Sequence, residues 1–195
     1  MSGFDLVFAL FGLVLGLAVT EVLAGFSRVL KMRGKAHIGW LVPLLGLLVL
    51  LDLTSFWMQA FALREYMPAN LLTLFVVLAI VGSYYLVATL IFPDDPEAWP
   101  DFDLYYDRFN RRILGGMLGI NIASLVASVV LIMVMPEPSA TAEPEAGLWS
   151  TIFEVAPVVL IPALMLVRGR RANLALLVLL IADFMAMAVA DVLGV

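Results

Sequence analysis

Apolar residues along this chain gather into six runs, each about 19–26 positions long and set apart by polar or Pro/Gly-rich stretches. The runs cover Phe4 to Ser27, Ile38 to Leu63, Leu71 to Phe92, Ile113 to Met135, Trp149 to Val167 and Leu174 to Leu193. At 1.5 Å per residue each can cross a hydrocarbon core about 30 Å thick. The pattern therefore predicts an all-α protein, a six-helix transmembrane bundle forming a single domain over residues 1–195.

Between spans three and four the period changes. Phe102, Tyr105, Tyr106 and Phe109 recur at i, i+3, i+4 and i+7, with Asp103, Asp107, Arg108 and Arg111 on the other side. That spacing predicts a short amphipathic helix over about 101–111, with Asp101 as its N-cap, lying in the cytoplasmic interface. The stretch from Pro136 to Gly147, rich in Pro, Glu, Ala, Ser and Thr, reads as an outer loop.

Arg and Lys give the chain a direction. Arg28, Lys31, Arg33 and Lys35 follow span one, Arg108, Arg111 and Arg112 follow span three, and Arg168, Arg170 and Arg171 follow span five, leaving only Arg64 on the other side. Positive residues are held on the cytoplasmic side. Both termini are therefore expected outside, in what reads as a bacterial cytoplasmic (inner) membrane. The first run lacks a basic leader and contains Glu21, so it reads as a true span and not a signal peptide. Span count and outward termini are similar to those of small bacterial six-span channels such as the acid-gated urea channels. The likeness is one of architecture, and no motif of that family is present.

Composition reinforces the membrane assignment and narrows the chemistry. The chain is 64% hydrophobic and 14% charged, against about 45–50% and about 25% in soluble domains. It has no cysteine and one histidine, His37, so thiolate chemistry, iron–sulfur clusters, bis-His haem and His-rich metal centres lack their ligands. No cofactor, metal or nucleic-acid partner is expected. What remains inside the apolar runs is carboxylate, hydroxyl and amide.

Charged residues at the bilayer centre cost about 2.5–3.5 kcal/mol even on lenient scales, so each buried acid calls for a partner. Glu21 lies about 10 Å from the inner end of span one, while Asp52 and Asp183 lie near the middle of spans two and six. Helical spacing adds Ser55 and Gln59 beside Asp52, and aligns Asn121, Ser124 and Ser128 on span four. Four polar stripes turned away from lipid predict a channel or transporter that passes protons or small cations. Glu21, Asp52, Asp183, Ser55, Gln59, Asn121, Ser124 and Ser128 would line its path, and Glu154 and Asp191 would mark its outer entrance.

Two other readings stand beside it. In one, the chain is a non-transporting assembly or sensor module whose acids hydrogen-bond Ser, Asn, Gln or Tyr84 on neighbouring helices and whose face of Phe102, Tyr105, Tyr106 and Phe109 meets a partner. In the other, Asp52 and Asp183 share a proton as an intramembrane aspartyl hydrolase dyad. The sequence contexts of membrane aspartyl proteases are missing, and an enzyme is the least favoured of the three. Small-residue ridges at Gly12, Gly16, Thr20 and Ala24, at Gly115 and Gly119, and at Ala182, Ala186 and Ala190 fit close helix contacts, including those of a homo-oligomer in the lipid bilayer.

Overall fold

The computed structural model describes residues 3–32, 34, 37–64, 66–134, 148–167 and 169–193, with side chains described throughout except at 3–4, 148–156 and 191–193. Six helices follow one another: α1 (Gly3–Lys31), α2 (Leu41–Ala62), α3 (Leu71–Thr89), α4 (Phe102–Val134), α5 (Leu148–Leu166) and α6 (Arg170–Leu193). No strand occurs among the described residues. Five of these helices are long and apolar enough to cross a membrane, and in α5 the described apolar part is Pro157–Leu166. The chain is thus an integral membrane protein by its helices, and its lipid-facing surface includes Leu71, Leu72, Phe75, Val130 and Met133, all well exposed.

Helix α2 is the hub. It packs against α1, α4 and α6 and touches α3 through Asp52 and Phe56, while other main contacts run α1 to α3, α3 to α4, α4 to α5 and α5 to α6. Half of its apolar window is buried, against 17–28% for the other four spans. This position explains why α2 can carry a carboxylate: its surroundings are protein on most sides, where partners are available.

Local chemistry sets the helix ends. Asn70 caps α3, its side chain accepting from the Thr73 backbone N–H at 2.8 Å, as short polar side chains do at an N-cap. Asp101 caps α4 through the Asp103 N–H at 2.9 Å, as its place ahead of the aromatic repeat implied. Beyond Asp101 nothing breaks the helix before Val134. The predicted interfacial segment is therefore the first turns of a single 33-residue helix, about 50 Å long.

Its aromatic face is turned into the protein. Phe102, Tyr105 and Tyr106 are buried. The Tyr105 hydroxyl donates to the Leu90 carbonyl at 2.8 Å, and Tyr106 donates to Asn173 Oδ1 at 3.0 Å. Trp99 packs edge-on against Tyr105 and Phe109, at 5.0 and 6.1 Å between ring centres. A period of 3.6 marks the covered face but does not say what covers it.

Glycine matters where rings and backbones meet. Phe92, just beyond α3, fills a notch whose floor is Gly25 on α1 and Gly46 on α2; a Cβ on Gly25 would fall on the Phe92 ring, and one on Gly46 would lie 2.8 Å from it. By contrast Gly16 and Gly119 have open space around them, and Ala182 and Ala186 are exposed. Those parts of the small-residue ridges face outward and pack nothing within the chain. Gly25→Ala should therefore lower stability by about 1–3 kcal/mol through overpacking, whereas Gly16→Ala should stay within about 0.5 kcal/mol. Thermal unfolding of the two variants in detergent checks this pair.

Candidate functional site

The centre of the bundle holds one polar joint, built from three helices. Asp52 on α2 is buried, and its Oδ2 accepts a hydrogen bond from the Tyr84 hydroxyl on α3. The same oxygen accepts from Asn121 Nδ2 on α4 at 3.1 Å. Asn121 also donates to the Met117 carbonyl at 3.0 Å, which fixes its amide. The Tyr84 ring is fully enclosed and stacks edge-on with Phe56, 5.3 Å between centres. Ser55 does not reach the carboxyl, because its hydroxyl donates to the Asp52 backbone carbonyl at 2.7 Å.

One to two turns further along the same pair of helices the polar row continues. Ser124 donates to Gln59 Oε1 at 2.8 Å, and Ser128 donates to the Ser124 carbonyl at 2.9 Å. Gln59, Ser124 and Ser128 line a cavity of about 770 Å³ between α2, α3 and α4, whose other walls include Val76, Val77, Ile80 and Leu131. In the opposite direction, Leu45, Leu48, Val49, Ile113, Leu114 and Met117 are all buried and apolar. Asp52 therefore sits between a polar approach and a greasy floor.

The other acids do not join it. Glu21 pairs with Arg28 on its own helix at 3.0 Å, both side chains partly exposed. Asp183 is half-buried on α6, and its carboxyl has no hydrogen-bond partner among the described residues. The side chains of Glu154 and Asp191 lie outside the described residues. Of the eight residues expected along a path, Asp52, Gln59, Asn121, Ser124 and Ser128 form the row, Ser55 flanks it, and Glu21 and Asp183 are placed off it.

No family model, curated protein or solved structure matches this chain. Its chemistry must then be argued from the site itself.

A second polar cluster lies at the end of the bundle where the basic connections meet. His37 and Asp101 exchange backbone contacts: the His37 N–H donates to the Pro100 carbonyl, and the Phe102 N–H to the His37 carbonyl, each at 3.0 Å. Asp101 Oδ1 also lies 3.3 Å from His37 Nδ1. From the start of α6, Arg170 clamps Asp107 Oδ2 at 2.8 and 2.9 Å and reaches Asp101 and Asp103 at 3.6 and 3.9 Å. Partial burial works to raise the Asp101 carboxyl, but the Asp103 N–H, His37 and Arg170 outweigh it and hold it below its ordinary value. Gly39, with φ +61°, lets the chain pass under Asp103, whose carboxyl a Cβ there would strike.

Tyr84, whose hydroxyl the sequence offers as a hydrogen-bond partner for a buried acid, meets Asp52; what sequence reasoning missed is the second cluster. His37 and Asp101 are 64 positions apart, so only the folded chain joins them. Replacing Asp52 by Ala leaves the Tyr84 hydroxyl unmatched, at about 1–3 kcal/mol, and leaves the Asn121 amide only its bond to the Met117 carbonyl. A double-mutant cycle of Tyr84→Phe with Asp52→Asn should give a coupling of about 0.6–1.7 kcal/mol, the range for hydrogen bonds between membrane helices. The cycle of Glu21→Gln with Asp52→Asn should be additive within about 0.5 kcal/mol.

Proposed function

We propose that this chain is a non-transporting membrane module, a helical platform for assembly or sensing whose buried carboxyl is a tie between helices. One observation carries the reading. The two groups that meet the Asp52 carboxyl, Tyr84 O–H and Asn121 N–H, both donate to it, which is the environment of a held carboxyl. The compensation of Glu21 by Arg28 within α1 supports it. In this reading α5 completes six spans and both termini lie outside. The three basic connections lie in the cytoplasm, as positive residues do in a bacterial inner membrane. The outward small-residue faces at Gly16, Gly119 and Ala182 are where a second copy would seat closely.

A second reading keeps proton passage through Asp52, and the 770 Å³ cavity favours it, since its polar wall of Gln59 and Ser124 begins within two turns of the carboxyl.

Purified protein in liposomes carrying a pH-sensitive dye separates the two. Wild-type vesicles should dissipate an imposed pH gradient no faster than empty ones, and Asp52→Asn should lower the melting temperature without changing that rate. Wild-type flux that Asp52→Asn abolishes would overturn the platform reading and establish the second.

A further inference from the structure

The cluster at the basic end contains more than an ion pair. Its carboxylates outnumber its firm cation, with Asp101, Asp103 and Asp107 set against Arg170. Arg170 approaches all three through their Oδ2 atoms, which leaves the Oδ1 atoms of Asp101 and Asp103 on the side away from the guanidinium contacts. Asp101 Oδ1 is the atom next to His37 Nδ1. Asp103 Oδ1 is enclosed and has no hydrogen-bond partner, although the Leu41 N–H supports the carboxyl as a whole. A buried carboxylate oxygen left without a donor is rare, and a bound cation is one of the few things that satisfies it. One donor atom from each of His37, Asp101 and Asp103 lies within 4.8 Å of the others.

We propose that His37, Asp101 and Asp103 bind one divalent transition-metal ion of the zinc type, one carboxylate oxygen from each aspartate and an imidazole nitrogen supplying three ligands and water the rest. A single imidazole with two carboxylates is a donor set that zinc accepts, with distances of about 2.0–2.2 Å. Drawing the donors in to that distance requires a small closing movement. His37 can supply it, because its side chain is 71% exposed. Arg170 then acts as an outer partner that orients the ligating carboxylates, as outer hydrogen bonds do in metal centres. The ion takes the place of the direct His37–Asp101 contact and brings Asp103 into the same contact. It thereby clamps the connection before α2 to the start of α4 and, through Arg170, to the start of α6.

This inference does not rest on whether the chain conducts, since none of its three ligands belongs to the Asp52 row. Because His37 is the only histidine, its ring resonances in tag-free, ¹⁵N-labelled protein report the site alone. Titration with Zn²⁺ should shift those resonances at one ion per chain and raise the melting temperature. His37→Ala should weaken Zn²⁺ binding at least about tenfold, the lower bound even for changes outside the ligand set, and remove the thermal shift. The metal-free melting temperature should hold, because the ring is exposed; Asp103→Asn, checked for helicity, should weaken binding likewise. A tenfold excess of Mg²⁺ should not displace the zinc. Silence of the His37 resonances under Zn²⁺, or affinity unchanged in both variants, or Mg²⁺ competing on equal terms as at a diffuse acidic patch, would overturn the proposal.

Discussion

A carboxyl carried into hydrocarbon by a helix has no water to turn to, so it must find its partners on neighbouring helices. Asp52 finds them on two, Tyr84 on α3 and Asn121 on α4. Because successive residues on a helix are about 100° apart, rotating α3 or α4 by one position would carry its partner away from Asp52. The joint therefore sets the rotation of three helices about their own axes, something that nonspecific apolar packing leaves loosely determined. Dispersion between apolar side chains and lipid tails is much alike, and polar contacts of this kind are what distinguish one arrangement of membrane helices from another.

The remaining packing is consistent with that rotation. With α3 turned so that Tyr84 faces α2, Val87 one turn along meets Gly116 on α4, whose missing side chain makes room for it. Past the end of α3, Phe92 drops between Gly25 and Gly46 and closes the seam of α1 with α2, in edge contact with Phe26 at 5.0 Å between ring centres. The polar joint and the glycine notches thus lie along one line of contacts from α4 to α1. At the basic end a different physics takes over: the connections are joined by backbone bonds and charge pairs near water, where individual exposed pairs are weak and a network counts for more.

Much of this was legible in the chain, and the parts that were not share a cause. Helix positions followed from the apolar runs, because hydrocarbon thickness dictates run length. That α2 and α4 carry faces in need of partners followed from their stripes, Asp52 with Gln59 and Asn121 with Ser124, since polar faces in lipid must be paired; that these two meet each other did not follow, because spans one and six carried acids as well. The Glu21 and Arg28 pair lay on one face of α1 at two-turn spacing and was readable as such. Tyr84 was legible as a hydroxyl able to meet a buried acid, but which acid it meets was not, because helix spacing does not say which faces oppose each other. The aromatic face from Phe102 to Phe109 was legible as a face at the cytoplasmic end that could cover the bundle or meet a partner; that Leu90 and Asn173 receive its hydroxyls was not, because periodicity reports burial and not the identity of the neighbour. His37 with Asp101 and Arg170 depends on three connections meeting in space, and no local pattern encodes such a meeting.

A tie and a conduit place opposite demands on the same atoms. In a conduit each polar group must release one partner and take another as the ion moves, which requires spare acceptors and water beside them. In the α2–α4 row Asp52 is met by two donors, Gln59 Oε1 by Ser124, and Ser128 by a backbone carbonyl, and below Asp52 stand the apolar side chains of Leu45, Leu48, Ile113 and Leu114. A proton leaving Asp52 toward the basic end would have to cross that layer, or α2 would have to turn and break its bonds to Tyr84 and Asn121 together. Breaking both at once exposes the Asp52 carboxyl and the Tyr84 hydroxyl to an apolar setting, at about 1–3 kcal/mol each, while Asn121 keeps only the Met117 carbonyl. The row is therefore better arranged to hold three helices in one orientation than to hand a charge along them.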